Sequence, residues 1–350
     1  MKVIFAALKY DYGDPQRGPS FEYTNFYDTL KNMSGIEVEL WPIDELTMQY
    51  GKEEMNRQLL NKVKTEKPDL LFTFLFRDEF EPKVIQEITN STSTLTLNWF
   101  GDDQWRFESY SKNWAPLYSY VATTDEGSVL KYKILGLSNV IKTQWACNHF
   151  SYKPERVEQE YDVTFIGQPH GNRKKVFNNM IQAGIKIDCF GYGWPQGRVE
   201  QEQMIKLFSA SKINLNLANT SFGLNLRTIA RVFLHKKGRL VFPNSWSETK
   251  LNFNSLFKAK CEQMKGRNFE VPGCGGFLLT SYIAELPKYY KLNKEVVVFK
   301  NTPELIEKIK YYLKNSAERE AIARAGYERT IKEHTYEQRF REIFKTMELV

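Results

Sequence analysis

Residues 265–280 read KGRNFEVPGCGGFLLT. Two cations precede a glutamate, a short helical turn covers 269–271, and a glycine-rich bend runs into an apolar strand over 276–280. A short apolar run bounded by glycines is the pattern of a strand buried on both faces. Downstream, a strand over 295–299 and a helix over 303–314 follow. Helices then continue to the end, with Thr335 as the N-cap of the last one.

The same alternation extends upstream. Residues 161–167 (YDVTFIG) form a strand, 173–183 a helix, 185–190 a strand, 202–210 a helix and 213–217 a strand. Residues 225–236 read as a basic amphipathic helix. An earlier cycle has strands over 2–8 (KVIFAAL), 36–41, 69–76 (DLLFTFLF) and 94–100, with helices over 21–31, 52–64 and 81–89. Strands that alternate with helices predict parallel α/β sheets, and here the cycle runs twice. The polar stretch 143–160 holds Pro154 and an acidic run, so it is the expected linker. The expected plan is an N-terminal domain over 1–150, a second over 151–335, and a helix over 336–350 that returns to the first. In such sheets ligands sit beyond the carboxyl ends of the strands, so the loops there are the places to search.

Composition agrees with two folded domains. The chain has 350 residues, 42% hydrophobic and 26% charged, which excludes a disordered protein. Its net charge of +7 is unevenly divided. Residues 1–150 hold 16 Lys and Arg against 21 Asp and Glu, and residues 151–350 hold 33 against 21. The basic half is the better place for a phosphate-bearing ligand. The acidic half argues against a nucleic-acid partner there. The four cysteines, Cys147, Cys189, Cys261 and Cys274, lack CxxC spacing and read as reduced, mostly buried thiols of a cytosolic protein. The four histidines are scattered, so no metal site is expected. The apolar run at the N-terminus is too short for a signal peptide, and no stretch is long enough to span a membrane.

Six constellations could carry chemistry. In 265–280, Lys265 and Arg267 can neutralise a diphosphate, Glu270 can accept from two ribose hydroxyls, and Gly275 lets the backbone bend. The plain alternative is a surface ion pair before a buried turn. Residues 167–173 (GQPHGNR) follow a strand and open a helix, so Gly167 and Arg173 can meet an anion there, or form an ordinary turn. Tyr192, in Gly191-Tyr192-Gly193-Trp194, can stack on a base or join the core. At the end of a strand in the acidic half, Asp102 and Asp103 are candidate catalytic carboxylates, with Asp103 preferred because it lies farther from the strand; an Asp-Asp helix cap is the alternative. Around Arg17, the loop 10–20 suits an acceptor or is simply surface. The basic helix over 225–239 either packs on its own domain or touches a membrane surface that carries a lipid-linked acceptor.

The segment KGRNFEVPGCGGFLLT, then Glu285-Leu286-Pro287, Lys294-Glu295 and the run ELIEKIKYYLKNSAEREAIARAGYERTIKEHTYEQRF, resembles the C-terminal part of CgeB-like, spore-maturation-type glycosyltransferases of the group 1 kind. The match covers residues 265–342; YDVTFIG and the strand at 211–217 are looser echoes. The resemblance implies a GT-B fold, with two Rossmann-like doubly wound domains facing a central cleft. The acceptor side would be N-terminal and the nucleotide-sugar side C-terminal. It implies a UDP-, GDP- or other nucleotide-sugar donor, a sugar, glycan, lipid-linked or protein acceptor, no cofactor and no metal. Donor ribose would fall on Glu270 and diphosphate on Lys265 and Arg267. Retaining members carry two glutamates separated by seven residues; Glu262 and Glu270 have that spacing, although the usual glycine-rich context of the first is missing. The expected function is therefore a cytoplasmic glycosyltransferase of polysaccharide biosynthesis, peripheral at the inner membrane if the 225–239 helix makes the contact. The rivals are a sugar-nucleotide epimerase or hydrolase on the same fold, or a non-catalytic sugar-nucleotide-binding protein.

Overall fold

The computed structural model describes residues 1–218, 233–237, 240–244, 249 and 263–350. The chain divides into two compact units. One is Met1–Phe150 with Thr335–Val350, and the other is Ser151–His334.

The first unit is built on six parallel strands: β1 (Lys2–Ala7), β2 (Glu37–Pro42), β3 (Leu70–Thr73), β4 (Leu95–Phe100), β5 (Tyr120–Thr123) and β6 (Val140–Lys142). Their order across the sheet is β2-β1-β3-β4-β5-β6. Successive side chains of a strand point to opposite faces. Ile4 and Ala6 therefore enter one core with Leu71 and Val121, while Val3, Phe5 and Ala7 enter the other with Phe72 and Trp99. Both faces are covered, which is why residues 3–7 of β1 and 70–72 of β3 are continuous apolar runs.

Part of that second face is supplied by the last helix, Tyr336–Thr346. Its Tyr336, Phe340, Ile343 and Phe344, at spacings of three and four, lie in the same cluster as Phe5, Phe26 and Trp99. The helix starts on a capping box. Thr335 Oγ1 accepts from the Gln338 N–H at 3.3 Å, and the Thr335 N–H donates to Gln338 Oε1 at 2.8 Å. The Tyr336 N–H donates to the Cys147 carbonyl at 3.0 Å, which ties the helix to the end of the 1–150 segment.

The second unit has five parallel strands: β7 (Tyr161–Ile166), β8 (Asp188–Phe190), β9 (Ser211–Asn216), β12 (Leu278–Ser281) and β13 (Val297–Phe299). Their order is β13-β12-β9-β7-β8. An antiparallel pair, β10 (Leu234–Lys237) and β11 (Leu240–Pro243), stands apart from this sheet. Here the structure corrects the expected helix over 225–236: its last residues, from Leu234, are strand. The ladder from β11 supplies the backbone partners that an isolated helical end would lack. The rest of that basic stretch, and its expected membrane contact, lie outside the described residues. Among the described residues no helix is long and apolar enough to cross a membrane. Cys147, Cys189 and Cys274 are buried and free of disulfides; Cys261 lies outside the described residues.

Each sheet has one point where strand order reverses, between β1 and β3 in the first unit and between β7 and β9 in the second. The crevice for a ligand opens at the carboxyl ends beside such a reversal.

Candidate functional site

At the reversal in the second unit stands Arg173, the first residue of the helix Arg173–Gln182. It is 8% exposed. Its Nη1 donates to the Gln168 carbonyl at 2.7 Å and its Nη2 to the Leu217 carbonyl at 2.9 Å. The guanidinium also lies 5.1 Å from the Phe165 ring centre. Burial pulls its pKa down to about 10. Arg173 therefore clamps the loops after β7 and β9 together. The two carbonyls take two of its five N–H donors and its Nε has no hydrogen-bond partner, so this clamp is compatible with the expected diphosphate contact.

Gly167 is likewise committed to the scaffold. Its N–H donates to the Phe190 carbonyl at 2.8 Å, and its carbonyl accepts from the Trp194 indole at 2.7 Å. The following loop presses so close that a Cβ on Gly191 would lie 2.5 Å from the Gly167 carbonyl oxygen. Only glycine fits there, and Gly191 takes a φ of +128°. The loop presents Tyr192 to solvent, with 69% of it exposed.

The helix Arg267–Gly273 runs into the turn before β12. Its start is fixed beside the carboxyl ends of β9 and β12 by a buried amide network. Asn216 donates to Asn268 Oδ1 at 3.3 Å and to Thr280 Oγ1 at 3.1 Å, and Asn268 donates to Thr280 Oγ1 at 3.2 Å. The Lys265 N–H closes the turn onto Asn268 Oδ1 at 3.0 Å. Sequence reading missed this network; two asparagines amid apolar strand and helix residues were its only signal.

Glu270 is fully buried. One carboxylate oxygen is ion-paired with Arg267 Nη1. The other, Oε1, has no hydrogen-bond partner. Burial opposes the charge of Arg267, but the Glu270 carboxylate more than offsets this and its pKa is raised. Arg267 thus holds Glu270 in place through one N–H, and its Nε has no hydrogen-bond partner. Lys265, half-buried, directs its ammonium to Gln263 Oε1. Gly275 departs further from expectation. It precedes β12, at the amino edge of the sheet, away from the loops just described. Glu262 lies outside the described residues. Among those described, no three His, Cys, Asp or Glu side chains converge as metal ligands would.

In the first unit, the loop after β1 is tied down. Tyr10 donates from its hydroxyl to Glu45 at 3.0 Å and from its N–H to Asp44 at 2.8 Å. Arg17 pairs with Asp11 at 2.8 Å and lies 4.6 Å from the ring centre of Tyr12. Tyr12 takes a left-handed φ of 56°, meets Phe76 edge-on at 5.2 Å and stays 58% exposed. Phe76 follows β3, so these rings mark the β1/β3 reversal.

Asp103, the preferred catalytic candidate, is wholly buried, as Glu270 is. Its Oδ2 accepts from Thr123 at 2.6 Å and Tyr132 at 2.9 Å. Burial lifts its pKa to about 6. It ties β5 to the helix Glu126–Ile134. Asp102, one residue earlier, is half-exposed, and its carbonyl accepts from the Trp105 and Arg106 N–H groups. Glu22, which no spacing rule singled out, joins Asp102 electrostatically. Its pKa is pushed up to about 7 by burial, with the Asp11 and Asp102 carboxylates adding to the rise.

Comparison with known proteins follows this geometry. Residues 237–345 match a family model described as glycosyl transferase-like. No curated protein matches the sequence. Sucrose-phosphate synthase from Thermosynechococcus elongatus superposes with a TM-score of 0.63 over 99% of this chain and 98% of that one, at 9% identity. HepE from Anabaena in complex with UDP-glucose gives 0.59 over the whole of both chains, at 10% identity. A UDP-N-acetylglucosamine 2-epimerase, so described and from Listeria monocytogenes, gives 0.50 over 93% of this chain and 91% of that one, at 8% identity. These likenesses show the fold: two parallel-sheet, Rossmann-like α/β domains of the GT-B class.

Proposed function

We propose that this protein is a glycosyltransferase of the CgeB-like kind, which moves a sugar from a nucleotide-diphosphate-sugar to an acceptor hydroxyl. The observation that carries this reading is Glu270: a buried carboxylate with one oxygen fixed by Arg267 and the other unpartnered, inside the stretch that matches a glycosyl transferase-like model. Such an oxygen is ready to accept from ribose hydroxyls. Lys265 then faces the diphosphate, and Tyr192 stacks on the base. Protein cations take the leaving-group charge, so the reaction is metal-independent.

The first unit takes the acceptor, with Tyr12 as an exposed ring for a sugar or glycan face. In the reaction the acceptor oxygen bonds to the anomeric carbon and the bond from that carbon to the diphosphate breaks. The electron pair leaves with the nucleoside diphosphate, and Glu22 or Asp102 receives the acceptor's proton. The spacing of Glu262 and Glu270 favours retention of configuration. The acceptor is a glycan, a lipid-linked sugar or a protein, and the setting is cytoplasmic polysaccharide synthesis.

The test incubates the protein with single nucleotide-sugars, with and without candidate acceptors. Sugar transfer that requires an acceptor supports the reading. The second reading, an epimerase or hydrolase, draws on the Listeria neighbour, whose description names an epimerase. Turnover to a new sugar or to free sugar without any acceptor would establish it instead.

A further inference from the structure

The second unit contains a cavity of about 240 Å³ at the amino-terminal edge of its sheet. The loops that carry Gly167, Gly191 and Leu217 lie at the opposite edge. Gln159 lies just before β7, Lys212 is the second residue of β9, and Gly275 precedes β12; all three line the cavity. The facing wall belongs to the helix Ser316–Glu333, through Arg319, Glu320 and Arg324.

The charges in this cavity do not balance. The Lys212 ammonium is matched by Asp162 at 2.7 Å. Arg319 is only 4% exposed, yet its acceptors are neutral: the Tyr312 carbonyl at 2.7 Å and Gln159 Oε1 at 3.4 Å. Among the described residues no carboxylate forms an ion pair with it. Burial lowers its pKa, against the opposing pull of the Glu320 and Asp162 carboxylates. Arg324 is exposed and makes no ion pair or hydrogen bond among the described residues. Glu320 and Asp162 act on Arg319 only through space, and Asp162 is already paired with Lys212, so three cations stand against two carboxylates and Arg324 is left over. A buried guanidinium without a direct ion pair is costly, and an oxyanion ligand lowers that cost.

We propose that this cavity is a second ligand site, which binds a small phosphate-bearing metabolite with its phosphate held between Arg319 and Arg324. Guanidinium pairs suit phosphate because each presents parallel donors to two oxygens. The site lies at the opposite edge of the sheet from the donor residues, so it does not depend on the transferase reading.

Titration calorimetry with inorganic phosphate as the probe tests it, using the full chain at constant ionic strength set with chloride. Phosphate should bind the parent and Lys265→Ala alike. Binding should weaken about tenfold in Arg324→Ala, where a surface side chain is removed and the fold is kept. Arg319→Met should abolish it; if that variant fails to fold, Arg324→Ala decides. The proposal is overturned if the parent binds no phosphate, if Arg324→Ala binds as the parent does, or if Lys265→Ala alone loses binding.

Discussion

Asp102 and Asp103 are adjacent, yet the fold gives them separate work. The helix start turns Asp103 inward onto Thr123 and Tyr132 and leaves Asp102 at the surface of the same edge. Spacing cannot reveal this, because it depends on where a tyrosine 29 residues later comes to rest. Arg173 was hidden for the same reason, since one of its acceptors is the Leu217 carbonyl, 44 residues away. Glu270 was legible because its neighbours in sequence make its surroundings. The folded chain keeps the Asp103 proton to higher pH than the unfolded chain does. Stability should therefore fall as pH rises from 3.8 to about 6. Asp103→Asn should flatten that part of a denaturation-versus-pH series. Glu22 titrates near 7. If it receives the acceptor's proton, kcat/KM should rise with pH through about 7, and Glu22→Gln should lose that limb.

At the scale of elements, the long apolar strands and the capped last helix could be read directly. β1 and β3 carry continuous apolar runs, β4 and β7 are mostly apolar, and Thr335 is a helix start written in sequence. The short strands β5 and β6 were not singled out. They have four and three residues, too few for a period to show, and the neighbouring strands decide that they pair. The end of the basic stretch misled because Leu234 to Lys237 continue a helical pattern, while a ladder to β11 fixes them as strand. The last helix matters to the first unit's core. Phe340→Ala should cost about 3–5 kcal/mol in unfolding free energy, from lost burial and the cavity it leaves. Thr335→Ala should cost about 1 kcal/mol, the usual worth of an N-cap. Chemical denaturation of both variants checks these values, and equal losses would contradict the argument.

For the whole molecule, the excess of positive charge lies in residues 151–350. The second unit holds Lys265, Arg267 and Arg173; Arg173 ties two loops together and Arg267 fixes a carboxylate. The two α/β cycles and the helix that completes the first unit were legible from alternation and capping, and the loop 10–20 that carries Tyr12 was legible from its glycines and aromatics; Glu22 was not, because its surroundings come from residues distant in sequence. The central claim is that Glu270 receives the ribose of a nucleotide-sugar. Thermal unfolding of the parent and of Glu270→Gln, each with UDP-, GDP-, ADP- and dTDP-sugars, tests it most directly. One donor should raise the parent's melting temperature by about 5 °C at roughly a hundredfold excess over Kd, and Glu270→Gln should lose the shift. No shift with any donor, or an undiminished shift in Glu270→Gln, would contradict the account.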